Sequence, residues 1–407
     1  MPTVYFARWI LLPDGNILVN GGIAVEGDRI SAVGPRGRLK RGSKDRAVNL
    51  GDTLLLPGFI NMHTHLEEAV LRGMQKGDDE TFAAWIKRRS AELIASSPGS
   101  VISSVRLAIR ESLANGITTI ADTSRTDIAA IVLRDEPVRT WIFHECHPEN
   151  AVAQEEITAT LRKRIERLHR DGNTGVAPYA LFSLSPKRHK TLLETARSNG
   201  YLWSSHVAES ADELQAFSTQ SGDLYASITQ REEWPYGKTE RGSLYYALTN
   251  NLIPQHGICC HCNYMSGQEL SLLTARNASI VFCPQYNQHM GHKAFPLDVA
   301  LNRGINACLG TESPSSAKPM NLFDDLYLLK NQYPHVTGFQ LVQMVTSNAA
   351  RALRCTAIGA LEPDKKADII GLRFPHAPGA DLLDEMILEE TKVVLVIVNG
   401  EEVVVGY

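Results

Sequence analysis

The chain has 407 residues, 43% of them hydrophobic and 21% charged, an ordinary globular composition able to bury a large core. Its formal net charge of −4 gives no electrostatic reason to expect nucleic acid as a partner. No apolar run reaches the ~18 residues of a membrane span, and the first ten residues lack a cationic start followed by an apolar core, so a cytoplasmic protein without a membrane partner is expected.

In chain order, the first ~50 residues read as short strands and turns: Val4 to Leu12, Gly22 to Val25, then Ile30 to Val33 after the turn at Glu26 to Arg29. The far end echoes them with Ala367 to Leu372, Val393 to Val398, the Asn399-Gly400 turn and Val403 to Val405. A lone C-terminal hairpin is marginal, so both ends are expected in one small β domain, 1–53 with 361–407, flanking a central unit over 54–360. Within that unit eight candidate strands alternate with helix-length segments: Leu54 to His65, Ile117 to Thr123, Val138 to His144, Gly175 to Ser183, Leu202 to Ala208, Gly257 to His261, Ser279 to Cys283 and Ile305 to Gly310. Eight alternations predict an α/β fold of the (β/α)8 TIM-barrel type.

His63 and His65 close the first of these strands, and residues at i and i+2 of a strand share a face. Two such imidazoles can take neighbouring positions on a transition metal, with further ligands supplied from elsewhere. His206 ends the fifth strand, His261 the sixth, and Glu312 follows the eighth. In a (β/α)8 barrel these ends converge on one mouth. The bland alternative, a satisfied core histidine, would have to explain the same placement four times. Seven cysteines, an odd number and mostly in apolar runs, suit a reducing compartment. Cys259 and Cys262 form a CxxC, but on a strand they would point to opposite faces, so they are read as core.

Pro57-Gly58-Phe59-Ile60-Asn61-Met62-His63-Thr64-His65 resembles the metal-binding signature of the amidohydrolase superfamily, in the branch of cytosine, guanine and adenosine-type deaminases and triazine chlorohydrolases. Ser205-His206-Val207-Ala208-Glu209-Ser210, His261-Cys262, Cys283-Pro284-Gln285-Tyr286-Asn287 and Leu309-Gly310-Thr311-Glu312-Ser313 follow in the same order and spacing. Within the branch, His65-Leu66-Glu67 and Asn321 to Asp325 are most similar to the aminodeoxyfutalosine deaminases. The resemblance implies one divalent transition metal, zinc or iron, on His63, His65, His206 and Glu312. It further implies that Glu312 is the base on a metal-bound water, that His261 holds that water or the developing oxyanion, and that Glu209 protonates a ring nitrogen. The competing reading of Glu209 is a solvated residue at a helix start.

Three positions depart from the family pattern. Glu312 stands where Asp is usual, Tyr179 lies nearest the slot of a histidine on strand four, and Phe282 precedes Cys283 where a histidine is common on strand seven. Further pocket candidates, chosen for lying at or after strand ends or in the first loop, are Glu67, Trp85, Arg88, Arg125, His144, His147, Tyr179, Gln285, Asn287 and His289. The activity expected is hydrolytic removal of ammonia from an amino-substituted heterocycle, a small-molecule substrate of purine or nucleoside type such as aminodeoxyfutalosine. A chlorohydrolase or cyclic amide hydrolase of the same fold is the alternative enzyme, and a non-catalytic barrel that binds a ligand is the rival class. A homodimer is compatible with either.

Overall fold

The computed structural model describes residues 2–39, 45–147, 154–168, 173–230, 233–237, 239, 241–313, 318–379 and 381–403. Apolar runs at the start of the chain form β1 (Thr3–Leu11), β2 (Ile17–Glu26) and β3 (Arg29–Pro35) as an antiparallel set, while β4 (Arg46–Asn49) and β5 (Leu54–Pro57) pair parallel to β1. Eight parallel strands follow: β6 (Phe59–Thr64), β7 (Ile117–Ser124), β8 (Arg139–Cys146), β9 (Thr174–Pro178), β10 (Leu202–Val207), β11 (Ile258–His261), β12 (Ser279–Phe282) and β13 (Asn306–Leu309). Each neighbours the next, and a bridge between Thr64 and Glu312 joins last to first. The chain then returns as β14 (Ile369–Arg373), β15 (Lys392–Val398) and β16 (Glu401–Glu402), which complete the first sheet in the order β16-β15-β14-β5-β1-β2-β3, with β4 on β1. The result is a TIM barrel beside a sheet built from both chain ends. Val404 and Val405, expected at the end of the last strand, lie outside the described residues.

The apolar run Leu54 to His65, expected as one barrel strand, is two strands in two sheets. Leu54–Pro57 pairs with β14, and the barrel begins only at Phe59. Pro57 has no N–H for a continuing ladder, and at Gly58 the chain passes so close to β7 that a Cβ there would stand 2.1 Å from Thr118 Oγ1.

The barrel interior is packed with Ile60, Met62, Ala121, Phe143, Ala177, Cys260, Val281 and Cys308, and Ala349 and Ala350 on the helix Ser347–Ala352 pack into the same cluster. Burying a side chain such as Phe143 contributes about 1.5–3 kcal/mol. Above this plug the mouth is lined by polar groups. Helices α1 (Phe82–Ala95), α2 (Pro98–Ala114), α3 (Ile128–Leu133), α4 (Gln154–Leu168) and α5 (Pro186–Asn199) cover the first half of the barrel. Among the described residues no helix is long and apolar enough to cross a membrane.

Candidate metal centre

Two irregularities aim the histidines. The β6–β7 ladder slips by one residue between Asn61 and Thr64, a β-bulge that lets His63 reach the lumen although its neighbour Met62 already packs there. At His261 the backbone enters the left-handed region, with φ of 71°, and it does so again at Ala208 (48°) and Glu312 (59°). Non-glycine residues held there cost about 1–3 kcal/mol each and gather at functional sites. The turn at His261 and Cys262 (φ 54°) also brings Cys262 within hydrogen-bonding reach of Cys259. The expectation that these two point apart is thereby corrected; both are buried free thiols.

The buried side chains of His63, His65, His206 and Glu312 converge on one point. His206 Nε2 lies 3.0 Å from His63 Nε2 and 3.2 Å from His65 Nε2. Glu312 Oε2 lies 2.6 Å from His63 Nε2 and 3.6 Å from His206 Nε2, and its Oε1 is 3.6 Å from His65 Nε2. A cation at ~2.0–2.2 Å from each donor would set ligand–ligand separations of roughly 3 to 3.6 Å, so the donor set fits a first-row metal. The opposite ring nitrogens are held from behind, as metal-ligating imidazoles require. His206 Nδ1 donates to the Tyr179 carbonyl oxygen at 2.6 Å, His65 Nδ1 is 3.5 Å from Glu145 Oε2, and His63 Nδ1 is 3.4 Å from Cys260 Sγ. Glu312 Oε2 and both ring nitrogens of His261 are buried without an aligned hydrogen-bond partner, a state that is costly unless a further group completes the site.

Burial alone would raise the Glu312 carboxyl, but the facing imidazoles of His63, His65 and His206 outweigh it and hold the group well below the usual carboxylate range. His261 Nε2 stands 3.4 Å from Glu312 and 3.9 Å from Glu209. Burial lowers that imidazole, and the two carboxylates more than reverse the effect. Glu209 is likewise raised by burial yet held low, chiefly by His261 and His292. Its Oε1 accepts from Tyr286 Oη at 3.0 Å, and its backbone carbonyl accepts from Asn263 Nδ2 at 3.1 Å. The arrangement is a cluster of four buried donors that could hold a metal ion, with the His261–Glu209 pair on one side.

The sequence model of the amidohydrolase family matches residues 54–403. The chain belongs to the amidohydrolase family. It is 25% identical over 415 residues to the 5-methylthioadenosine/S-adenosylhomocysteine deaminase of Pelotomaculum thermopropionicum, covering 96% of this chain and 90% of that one. Two solved structures share the amidohydrolase fold at a TM-score of 0.84. One is an adenosine deaminase from Xanthomonas campestris with bound zinc, 22% identical over 98% of this chain and 92% of that one. The other is the aminofutalosine deaminase of Helicobacter pylori in complex with methylthio-coformycin, 19% identical over 99% of this chain and 100% of that one.

Against this amidohydrolase frame the remaining pocket candidates divide. Tyr179 is at the mouth, with its ring 4.9 Å from that of His206 and its hydroxyl accepting from Arg89 Nη2 at 3.0 Å. Arg125 and His147 line the gap beside His65. His144 does not join them. Glu145, its neighbour on β8, faces His65, so alternation sends His144 the other way, to within 3.4 Å of Asp127. Glu67 lines the same gap, with its oxygens accepting from the backbone N–H groups of Arg125, Thr126 and Ala129 and from the Ser124 hydroxyl, which clamps the loop after β7. Trp85 is buried in the hydrophobic core, and Arg88 lies over its ring while pairing with Glu80. Gln285 donates to the Asp324 carbonyl, Asn287 exchanges hydrogen bonds with Asn263, and His289 is exposed.

Sequence reasoning missed Glu68, Arg89, Glu145, Tyr286 and His292. Arg89 is a buried cation 3.3 Å from Glu68 and 3.9 Å from Glu312; nothing in a helix of mixed polarity marks it. Tyr286 belongs to the motif Cys283 to Asn287, and only the fold brings it to Glu209. Cys283 is buried within reach of His261 and Glu312.

Proposed function

We propose that this amidohydrolase is a metal-dependent deaminase that hydrolyses an exocyclic amino group from a purine or purine nucleoside and releases ammonia. The observation that carries the reading is the convergence of three imidazole Nε2 atoms on Glu312, with Glu209 beside them. We further propose that the four donors hold one zinc or iron ion, because imidazoles with one carboxylate suit these metals better than magnesium or calcium. When bound, such a cation lowers the pKa of a water to ~7 and polarises the reacting centre.

The residues divide the proton work. Glu312, an ionised acceptor, takes one proton from the attacking water and hands it to the departing amino nitrogen, which leaves as ammonia. His261 donates to the oxygen that becomes the product carbonyl. Glu209 begins ionised, so it acts as a shuttle: it receives a proton released from the water and passes it to the ring nitrogen next to the amino-bearing carbon. Tyr286 and His292 orient it. The C–O bond forms, the exocyclic C–N bond breaks, and one water yields the oxo product and ammonia. The names of the relatives support a purine ring, and the zinc in the Xanthomonas campestris structure supports that metal. Seven free thiols support a cytoplasmic setting.

The reading is tested by reconstituting the protein with zinc or iron and measuring ammonia release from adenosine, 5′-methylthioadenosine and aminodeoxyfutalosine. Glu209→Gln should keep its metal and lose roughly 10²-fold or more in turnover. Equal turnover in the two proteins would remove Glu209 from the mechanism.

A further inference from the structure

At the end of the barrel opposite the mouth, where β10 and β11 begin, a cleft of about 880 Å³ opens between the C-terminal turns of α5 and of the helix Gly267–Ala275. Its size suits a small ligand. None of its lining residues belongs to the four-donor cluster or to the gap beside His65.

Three guanidinium groups reach the cleft from three separate elements: Arg197 from the last turn of α5, Arg276 from the cap of Gly267–Ala275, and Arg354 from just past the helix Ser347–Ala352. Glu194 is the one acid among the described residues of the lining, so cations prevail. Basic side chains often gather at helix C-termini, where they meet the exposed carbonyl oxygens, and Arg276 does so. It donates to the carbonyl oxygens of Leu248 and Leu272 and to Asn251 Oδ1. Arg197 and Arg354 do not turn back in this way: both are exposed, and neither side chain makes a hydrogen bond, ion pair or ring contact with a described residue. Arg354 also stands at φ of 54° in the turn that ends its helix, with the Cys355 N–H bonded back to the Ala350 carbonyl. Glycine would occupy that place without strain.

The wall between the cations is apolar, with Leu193, Ile253 and Pro254. Trp203 lines it from the second residue of β10 and is 3% exposed, yet its indole N–H has no hydrogen-bond partner among the described residues. A buried donor left over in this way is costly until an acceptor reaches it. Two uncommitted guanidinium groups on different elements suit a ligand with more than one anionic group, and the planar fork of each matches phosphate oxygens. Aromatic and aliphatic surface beside them suits a ring.

We propose that this cleft is a second binding site, for a nucleoside diphosphate. Arg197 and Arg354 take the phosphate oxygens, and the wall formed by Trp203, Ile253 and Pro254 takes the ring. The site is independent of the reaction at the metal, because it lies at the opposite end of β10 from His206.

The probe is uridine 5′-diphosphate, whose base carries no exocyclic amino group and is therefore no substrate for the proposed reaction. Its binding to the zinc-loaded protein is measured by calorimetry beside that of pyrophosphate and uridine. Uridine, without the phosphates, should bind roughly 10²-fold less tightly or not at all, and pyrophosphate, without the ring, roughly 10-fold less tightly. Arg197→Met and Arg354→Met should each cost about 10-fold, as expected for a lost hydrogen bond to a charged group. Arg354→Lys should keep part of the affinity, and the double Met variant should show no measurable binding while keeping its metal content and its ammonia release. No binding of uridine 5′-diphosphate to the unaltered protein, or binding that survives the double substitution, would overturn the site. Equal binding of pyrophosphate would overturn the nucleotide assignment in favour of a bare inorganic anion.

Discussion

One half of the barrel mouth, fed by β6, β10, β11 and β13, carries His63, His65, His206, His261 and Glu312, with Glu312 oxygens 2.6–3.6 Å from a ring nitrogen of each histidine. The other half, fed by β7, β8 and β9, carries Arg125, Glu145, His147 and Tyr179 around open space. The first half is close-packed donor atoms, while the second encloses space. On the proposed reading one answers to a cation and the other to a substrate, so substitutions in the two halves should fail in different ways.

The largest effect belongs to the ligand half. His206→Ala should remove most of the bound metal, and with it a catalytic contribution of several kcal/mol, or ~10³-fold or more in turnover. Metal analysis of the purified variant against the unaltered chain checks this, and normal metal content would break the distinction between the halves. Glu312→Gln comes next, with turnover reduced by ~10²–10⁴-fold, because an amide cannot take the water's proton. In Glu312→Asp the shorter acid falls about one methylene short. If the backbone, with its left-handed residue at 312, is adjusted to the longer acid, turnover should fall by ~10²-fold. A rise would instead mark the chain as a weakened descendant of an aspartate enzyme.

Glu145→Gln lies on the border between the halves. It keeps the shape of the side chain but weakens the acceptor behind His65 Nδ1, and metal affinity should drop by ~10–100-fold, as read by competition with a chelator. Unchanged affinity would place Glu145 wholly on the substrate side. The smallest effect should come from Tyr286→Phe, which removes the hydroxyl that Glu209 accepts from. A loss of ~10-fold in kcat with full metal content is expected for a lost hydrogen bond to a charged group. Loss of metal in that variant would contradict the separation of ligand cage from proton shuttle.

The two halves were also unequally legible in the sequence. Histidines and an acid at strand ends are conspicuous once the eight alternations are counted, so the fold and the ligand half could be read with strand ends off by a few residues. The bulge before Thr64 and the left-handed turn at His261 could not, since both are responses to tertiary closure. On β8 the choice between His144 and Glu145 depended on which face of the strand looks inward. A one-residue change of parity exchanges the two, and the more reactive residue type was the wrong guide. Arg89, Tyr286 and His292 lie on helices or loops whose approach to the mouth is fixed only by packing. For the same reason the sequence did not show that Glu67, which does line the gap beside His65, has its oxygens filled by backbone N–H groups of the next loop.

The central claim is that His63, His65, His206 and Glu312 hold one catalytic cation in a purine deaminase. Its most direct test is a titration of metal-stripped protein with zinc or iron while ammonia release from 5′-methylthioadenosine or adenosine is followed. Activity should rise in proportion to added metal, level off near one ion per chain, and stay absent throughout in His206→Ala. Ammonia release that is independent of metal, or tight uptake of the ion with no release from any aminopurine, would contradict it.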